Sequence, residues 1–195
     1  MKDYDVIIVG AGASGVFASY EFKKMNSDLR VLVIDKGNSI YRRQCPIKTG
    51  KVETCISCEP CNIMNGYGGA GTLSDGKYNI TTNFGGQMHE FLGKEDSIEL
   101  MEYVDKVLCE FDGGESKLYE TKSSNLKTLA LKHDLHLLDA KVRHFGTDRN
   151  LKILEKIYEW TTDKVEMIFN TTIVDVEKKD KFILTSNKGE RYSCD

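Results

Sequence analysis

The sequence predicts an α/β fold, a parallel sheet flanked by helices, and three observations carry that prediction. Near the amino terminus a short β-branched run, Val6-Ile7-Ile8-Val9, leads at once into Gly10-Ala11-Gly12-Ala13-Ser14-Gly15. One helix length later a second apolar run, Val31-Leu32-Val33-Ile34, ends in Asp35. Late in the chain an amphipathic helical stretch is followed by three strand-like runs. The first two observations define a strand, turn, helix and second strand. The third supplies a β-meander, so the expected architecture has three layers.

Each part of the amino-terminal unit answers a physical need. A continuous run of valine and isoleucine suits a parallel strand buried on both faces. Gly10 permits the tight turn off that strand, Gly12 lacks the Cβ that would block a pyrophosphate, and Gly15 lets the next helix pack closely. The unpaired N–H groups at that helix start favour an anion without help from lysine. Asp35 follows the last glycine by about 20 residues, where a carboxylate can accept hydrogen bonds from ribose hydroxyls. It also disfavours the additional 2′-phosphate of NADP. The pattern is a Rossmann-type dinucleotide-binding fingerprint, and it predicts an ADP-containing cofactor.

Residues 14–25 read as the first helix, closed by the polar turn Asn26-Ser27-Asp28. Residues 36–71 have no periodicity and hold Cys45, Cys55, Cys58 and Cys61 together with Gly66, Gly68, Gly69 and Gly71. A loop of that length inside a compact domain is usually functional. Residues 95–111 form an amphipathic helix with Ile98, Met101, Val104, Leu108 and Phe111 on one face. A shorter helix is expected over 126–133 and an extended stretch over 135–145. Residues 147–161 make another amphipathic helix, Leu151, Leu154, Ile157 and Tyr158 inward, with Thr147 as its cap. Strands are expected at 165–169, 172–177 and 181–186, and residues 190–195 begin a further one. A doubly wound sheet would still need strands of its second half, so the chain is expected to be part of a longer or split polypeptide. Its organisation is then one partial domain over 1–195, with a cysteine- and glycine-rich loop over 36–80 and a mainly helical insertion over 85–140.

Composition narrows the function classes. Of 195 residues, 40% are hydrophobic and 29% charged, with a net charge of -3 and a pI near 5.9. That balance gives no electrostatic footprint for nucleic acid or an anionic membrane. No run approaches a transmembrane length, and the first apolar segment lacks a basic leader, so a cytoplasmic protein is expected. In a reducing compartment the cysteines read as thiols, metal ligands or redox groups. Cys55-x-x-Cys58-x-x-Cys61 has ferredoxin-like spacing, with Cys45-Pro46 placed earlier. Zinc, an iron–sulfur cluster, a redox disulfide and inert packed thiols are the readings that spacing leaves open. Gly66 to Gly71 could form a nest of N–H groups facing an anion, and Ser74, Asp75 and Lys77 follow at once.

Taken together, the fingerprint, Asp35, Cys45-Pro46, the triple-cysteine spacing, Gly66-Tyr67-Gly68-Gly69-Ala70-Gly71-Thr72-Leu73-Ser74-Asp75-Gly76-Lys77 and His144-Phe145-Gly146-Thr147-Asp148 resemble the amino-terminal part of poorly characterised bacterial FAD-dependent dehydrogenases. These belong to the glutathione-reductase-like flavoproteins. The resemblance implies FAD rather than NAD, with Gly10, Gly12, Ala13, Ser14 and Gly15 at the pyrophosphate and Asp35 and Lys36 at the adenosine ribose. This chain has aspartate where most of that superfamily has glutamate. The resemblance further implies that the backbone around Ile173 lies along the adenine. Gly68, Gly69, Ala70, Gly71 and Ser74 would make a second contact with phosphates or isoalloxazine, and His144 is a candidate proton donor beside the flavin.

The implied function is flavin-mediated hydride or electron transfer on a small-molecule substrate, with NAD(P)H as a candidate electron donor. The alternative is a non-catalytic metal- or Fe–S-binding electron-transfer module that needs a partner chain. An NAD-dependent dehydrogenase is disfavoured, because the second glycine segment has no part in that fold. Self-association or a missing carboxy-terminal half is expected to complete the assembly, without nucleic acid or membrane.

Overall fold

The computed structural model describes every residue except Asn26, Ser27 and Ser123. The polar turn expected at residues 26 and 27 therefore lies outside the described residues. Numbered in chain order, the elements begin with β1 (Lys2–Asp3), β2 (Val6–Val9), α1 (Ala13–Lys24) and β3 (Val31–Ile34). A long loop with two 3-10 turns, Ile40–Arg42 and Gly69–Leu73, comes next. It leads to β4 (Lys77–Ile80), α2 (Met88–Leu92), α3 (Lys94–Asp112), β5 (Leu118–Glu120), α4 (Ser124–Leu131), β6 (Lys141–His144) and α5 (Thr147–Thr162). Strands β7 (Glu166–Ile168), β8 (Ile173–Lys178), β9 (Phe182–Ser186) and β10 (Arg191–Cys194) complete the order. The elements group into two compact units, 1–73 with 154–195 and 74–153.

In the first unit, β2, β3 and β7 form a parallel sheet in that order. All four residues of β3 are buried, as a central strand covered on both faces requires. Side chains alternate across the pleat. Leu32 and Ile34 join Tyr4, Leu184, Tyr192 and Cys194 in one apolar cluster, on the side of the sheet formed by β1, β10, β9 and β8. Val31 and Val33 point the other way, and α1 packs against β2 and β3. This is the three-layer α/β arrangement that the sequence predicts. Trp160 on α5 stacks against Tyr20 on α1 at 5.0 Å between centroids, and Lys23 bonds Asp163 at 2.5 Å.

The second unit holds the antiparallel sheet β4-β6-β5 with helices α2 to α4. The helix expected over 95–111 is α3, which ends in Gly113 with φ +81°, a left-handed stop. Strands β4 and β5 are additions to the sequence reading, and so is α2. Arg143 of β6 forms a bidentate pair with Asp105 of α3 at 2.8 and 2.7 Å, and also donates to the Ser116 carbonyl. Thr147, expected to cap α5, is instead its first helical residue. Gly146 precedes it, and the Gly146 carbonyl accepts from the Asn150 N–H.

Candidate cofactor site

The site in the first unit begins at the β2–α1 turn. A Cβ on Gly15 would stand 2.0 Å from the Gly10 carbonyl oxygen, so only glycine allows α1 to start this close to the strand. A Cβ on Gly12 would meet nothing within 4 Å. The space over Gly12 is open, as a pyrophosphate cradle needs. Ala13 and Ser14 are exposed at the first turn of α1, which carries no carboxylate. N–H groups presented this way favour an anionic ligand.

Asp35 has a different setting from the one its position suggests. It is 8% exposed, and both of its oxygens accept backbone hydrogen bonds: Oδ2 from the Ala11 N–H at 2.8 Å and Oδ1 from the Gly37 N–H at 2.7 Å. The carboxylate therefore ties the β2–α1 loop to the turn after β3. Hydrogen bonds to a charged acceptor are worth about 1.5–3 kcal/mol each. Lone pairs remain on each oxygen for a ribose hydroxyl. Lys36 is exposed beside it.

The second glycine segment is built onto the first. The Gly68 N–H donates to the Ala11 carbonyl at 2.7 Å, and the Tyr67 N–H to the Asn38 carbonyl at 3.1 Å. A Cβ on Gly69 would stand 3.2 Å from the Gly12 Cα. Two glycine motifs more than fifty residues apart thus meet at one point. Tyr67, fully buried, anchors the segment: its ring meets Tyr158 edge-on at 4.9 Å. The buried Thr72 hydroxyl donates to the Tyr67 carbonyl at 2.8 Å, and a Cβ on Gly68 would sit 2.0 Å from that hydroxyl. Ala70 and Gly71 are exposed at the rim.

Sequence reasoning missed Arg43. It is 6% exposed and donates to three carbonyls: Nε to Asn62 at 3.0 Å, Nη1 to Tyr67 at 2.7 Å and Nη2 to Ile63 at 2.7 Å. Burial pushes its guanidinium below the usual arginine value, and the Asp35 carboxylate opposes that shift. No sequence motif marks it, because its partners are backbone atoms that converge only in the fold.

The remaining candidates lie on other elements. Ile173 begins β8 and packs on the apolar cluster, while the Thr172 N–H and carbonyl both bond Asn187. The β8–β9 register shifts between Ile173 and Asp175, leaving Val174 without a register partner and 61% exposed. Ser74 and His144 belong to the second unit, where both are exposed and His144 lies opposite Lys77 in the β4–β6 ladder.

Of the readings left open for the cysteines, zinc and an iron–sulfur cluster are not supported. Cys45, Cys55, Cys58 and Cys61 are free thiols, Cys55 exposed and the others half-buried. Among the described residues no three His, Cys, Asp or Glu side chains come together to hold a metal ion. The backbone of this stretch makes a series of turns. The Cys45 carbonyl accepts from the Thr49 N–H, the Cys61 carbonyl accepts from Met64 and Asn65, and Ser57 has φ +51°. No helix among the described residues is long and apolar enough to cross a membrane.

No family model matches the chain, and no curated protein matches its sequence. Solved structures do match. A glycine oxidase from Geobacillus kaustophilus superposes with a TM-score of 0.53 at 15% identity, covering 100% of this chain and 54% of its own. A 3-ketosteroid-Δ4-(5α)-dehydrogenase from Rhodococcus jostii RHA1 gives 0.53 at 14% identity, covering 99% and 44%. NikD, an unusual amino acid oxidase essential for nikkomycin biosynthesis, gives 0.50 at 11% identity, covering 100% and 50%. The chain shares the fold of these oxidoreductases. It spans about half their length or less, and at such identities the likeness concerns the fold alone.

Proposed function

We propose that this chain is the dinucleotide-holding portion of an FAD-dependent oxidoreductase, a dehydrogenase acting on a small-molecule substrate. The observation that carries the reading is the docking of the second glycine segment on the first, Gly69 against Gly12, beside an open and unobstructed start of α1. The shared fold with oxidases and a dehydrogenase supports the same class.

In this reading the N–H groups of Ala13, Ser14 and Gly15 bind the pyrophosphate oxygens, and Gly12 gives them room. Asp35 and Lys36 flank the adenosine ribose, and the backbone at Ile173 and Val174 lies along the adenine. Gly68, Gly69, Ala70 and Gly71 offer the second contact, with Ser74 following in sequence. When bound, FAD supplies two-electron redox chemistry through its isoalloxazine, with NAD(P)H as the proposed electron donor. His144 is the proposed proton donor, and turnover unchanged in His144→Gln removes it from that role.

The test is an absorbance spectrum of the anaerobically purified chain with and without added FAD, followed by chromatography of what acid releases. A flavin envelope with FAD in the supernatant is the expected result. A colourless protein that ignores added FAD overturns flavin binding by this chain.

A further inference from the structure

Between the two glycine segments lies a buried cation whose hydrogen bonds all go to backbone carbonyls. Burying a charge is costly unless it is fully engaged, so a guanidinium kept at 6% exposure has a geometric task. The fork of Arg43 is planar and rigid, and lysine cannot reproduce it with one compact ammonium. Its three acceptors, Asn62, Ile63 and Tyr67, bracket the last turn before the second glycine segment. Asn62 is further held by Asn38, whose Nδ2 donates to its Oδ1 at 2.7 Å. The next contacts along the chain are those that join the two glycine motifs, Tyr67 N–H to Asn38 and Gly68 N–H to Ala11. Gly66 leaves no slack, because a Cβ there would stand 2.4 Å from the Asn38 carbonyl oxygen and 3.1 Å from the Arg43 Cδ.

We propose that Arg43 is a positioning residue of the cofactor cradle: its fork on the carbonyls of Asn62, Ile63 and Tyr67 holds the second glycine segment on the phosphate loop. The docking stands on these contacts alone, and its consequence for FAD rests on the function proposed above.

The experiment uses the full chain and two readouts. Residue-resolved amide exchange without FAD compares the wild type with Arg43→Met and Arg43→Lys. The expected result is exchange at least tenfold faster at the Tyr67 and Gly68 amides in Arg43→Met, an intermediate rate in Arg43→Lys, and no change in α1 or β3. Unchanged rates, or acceleration spread evenly over the unit, overturn the proposal. Should Arg43→Met fail to fold, the intermediate acceleration expected in Arg43→Lys at the same two amides carries the test. FAD titration then reads the consequence: affinity falls about tenfold in Arg43→Met. The losses from Arg43→Met and Gly69→Ala combine non-additively, which a general loss of stability does not produce. Equal FAD affinity in wild type and Arg43→Met overturns the link to the cofactor. A wild type that ignores FAD while Arg43→Met still frees the Gly68 amide refutes the cofactor reading and leaves the clamp standing.

Discussion

The two glycine segments use the same residue for opposite ends, and each contains both uses. In the first, Gly15 is jammed against the Gly10 carbonyl, whereas Gly12 faces open space. In the second, Gly66 and Gly68 are jammed against Asn38 and Thr72, whereas Gly71 has nothing within 4 Å of where a Cβ would stand. Jammed glycines set how closely the backbone packs. Open ones leave room beside the backbone, which the proposed function assigns to the cofactor. The segments differ in what holds them: the first is fixed by its strand and helix, the second by Tyr67, Thr72 and the buried Arg43.

Substitutions can break this division, beginning with the largest effect. Gly15→Val drives a branched side chain into the Gly10 carbonyl and is expected to cost about 3 kcal/mol or to prevent folding, as read by chemical denaturation. Asp35→Ala leaves the Ala11 and Gly37 N–H groups without their acceptor, and a loss of about 2 kcal/mol is expected in the same assay. A loss under about 0.5 kcal/mol would mean that the carboxylate is not the tie between these loops. Gly12→Ala sharpens the contrast. Its stability should stay within about 0.5 kcal/mol of wild type, while FAD affinity in a fluorescence titration falls about tenfold. Equal loss of both would show Gly12 to be architectural as well. The smallest effect belongs to Cys55→Ser, where an exposed thiol is replaced: stability within about 0.5 kcal/mol and an unchanged flavin spectrum are expected.

What the sequence made legible was local and strongly patterned. Strand β3 could be read because a fully buried parallel strand needs an unbroken apolar run, and α3 and α5 because long helices repeat their apolar face several times. Strand β2 carries the same kind of run, but as the edge strand it is only half-buried, not covered on both faces as its sequence suggested. Strands β4 and β5 were not legible: Lys77-Tyr78-Asn79-Ile80 and Leu118-Tyr119-Glu120 are too short to establish a period of two. The glycine pattern pointed to a cradle, yet its joining depends on Gly68 meeting Ala11, a contact no spacing encodes. The cysteine run was legible only as a spacing that left several readings open. Its spacing suits a cluster, yet among the described residues no three such side chains come together, and a spacing alone does not encode that. Asp35 was singled out for its chemistry, and in the fold its carboxylate accepts from backbone N–H groups on both sides, which the sequence did not show.

Strand β2 also has a handling consequence. Among the described residues its ladder partner is β3 on one flank only, and Val9 at its end is 59% exposed. A free edge made of Val-Ile-Ile-Val is an adhesive surface for any extended chain that meets it. Preparations of this polypeptide are therefore best kept dilute and cold, and light scattering against concentration belongs beside every binding curve measured on it.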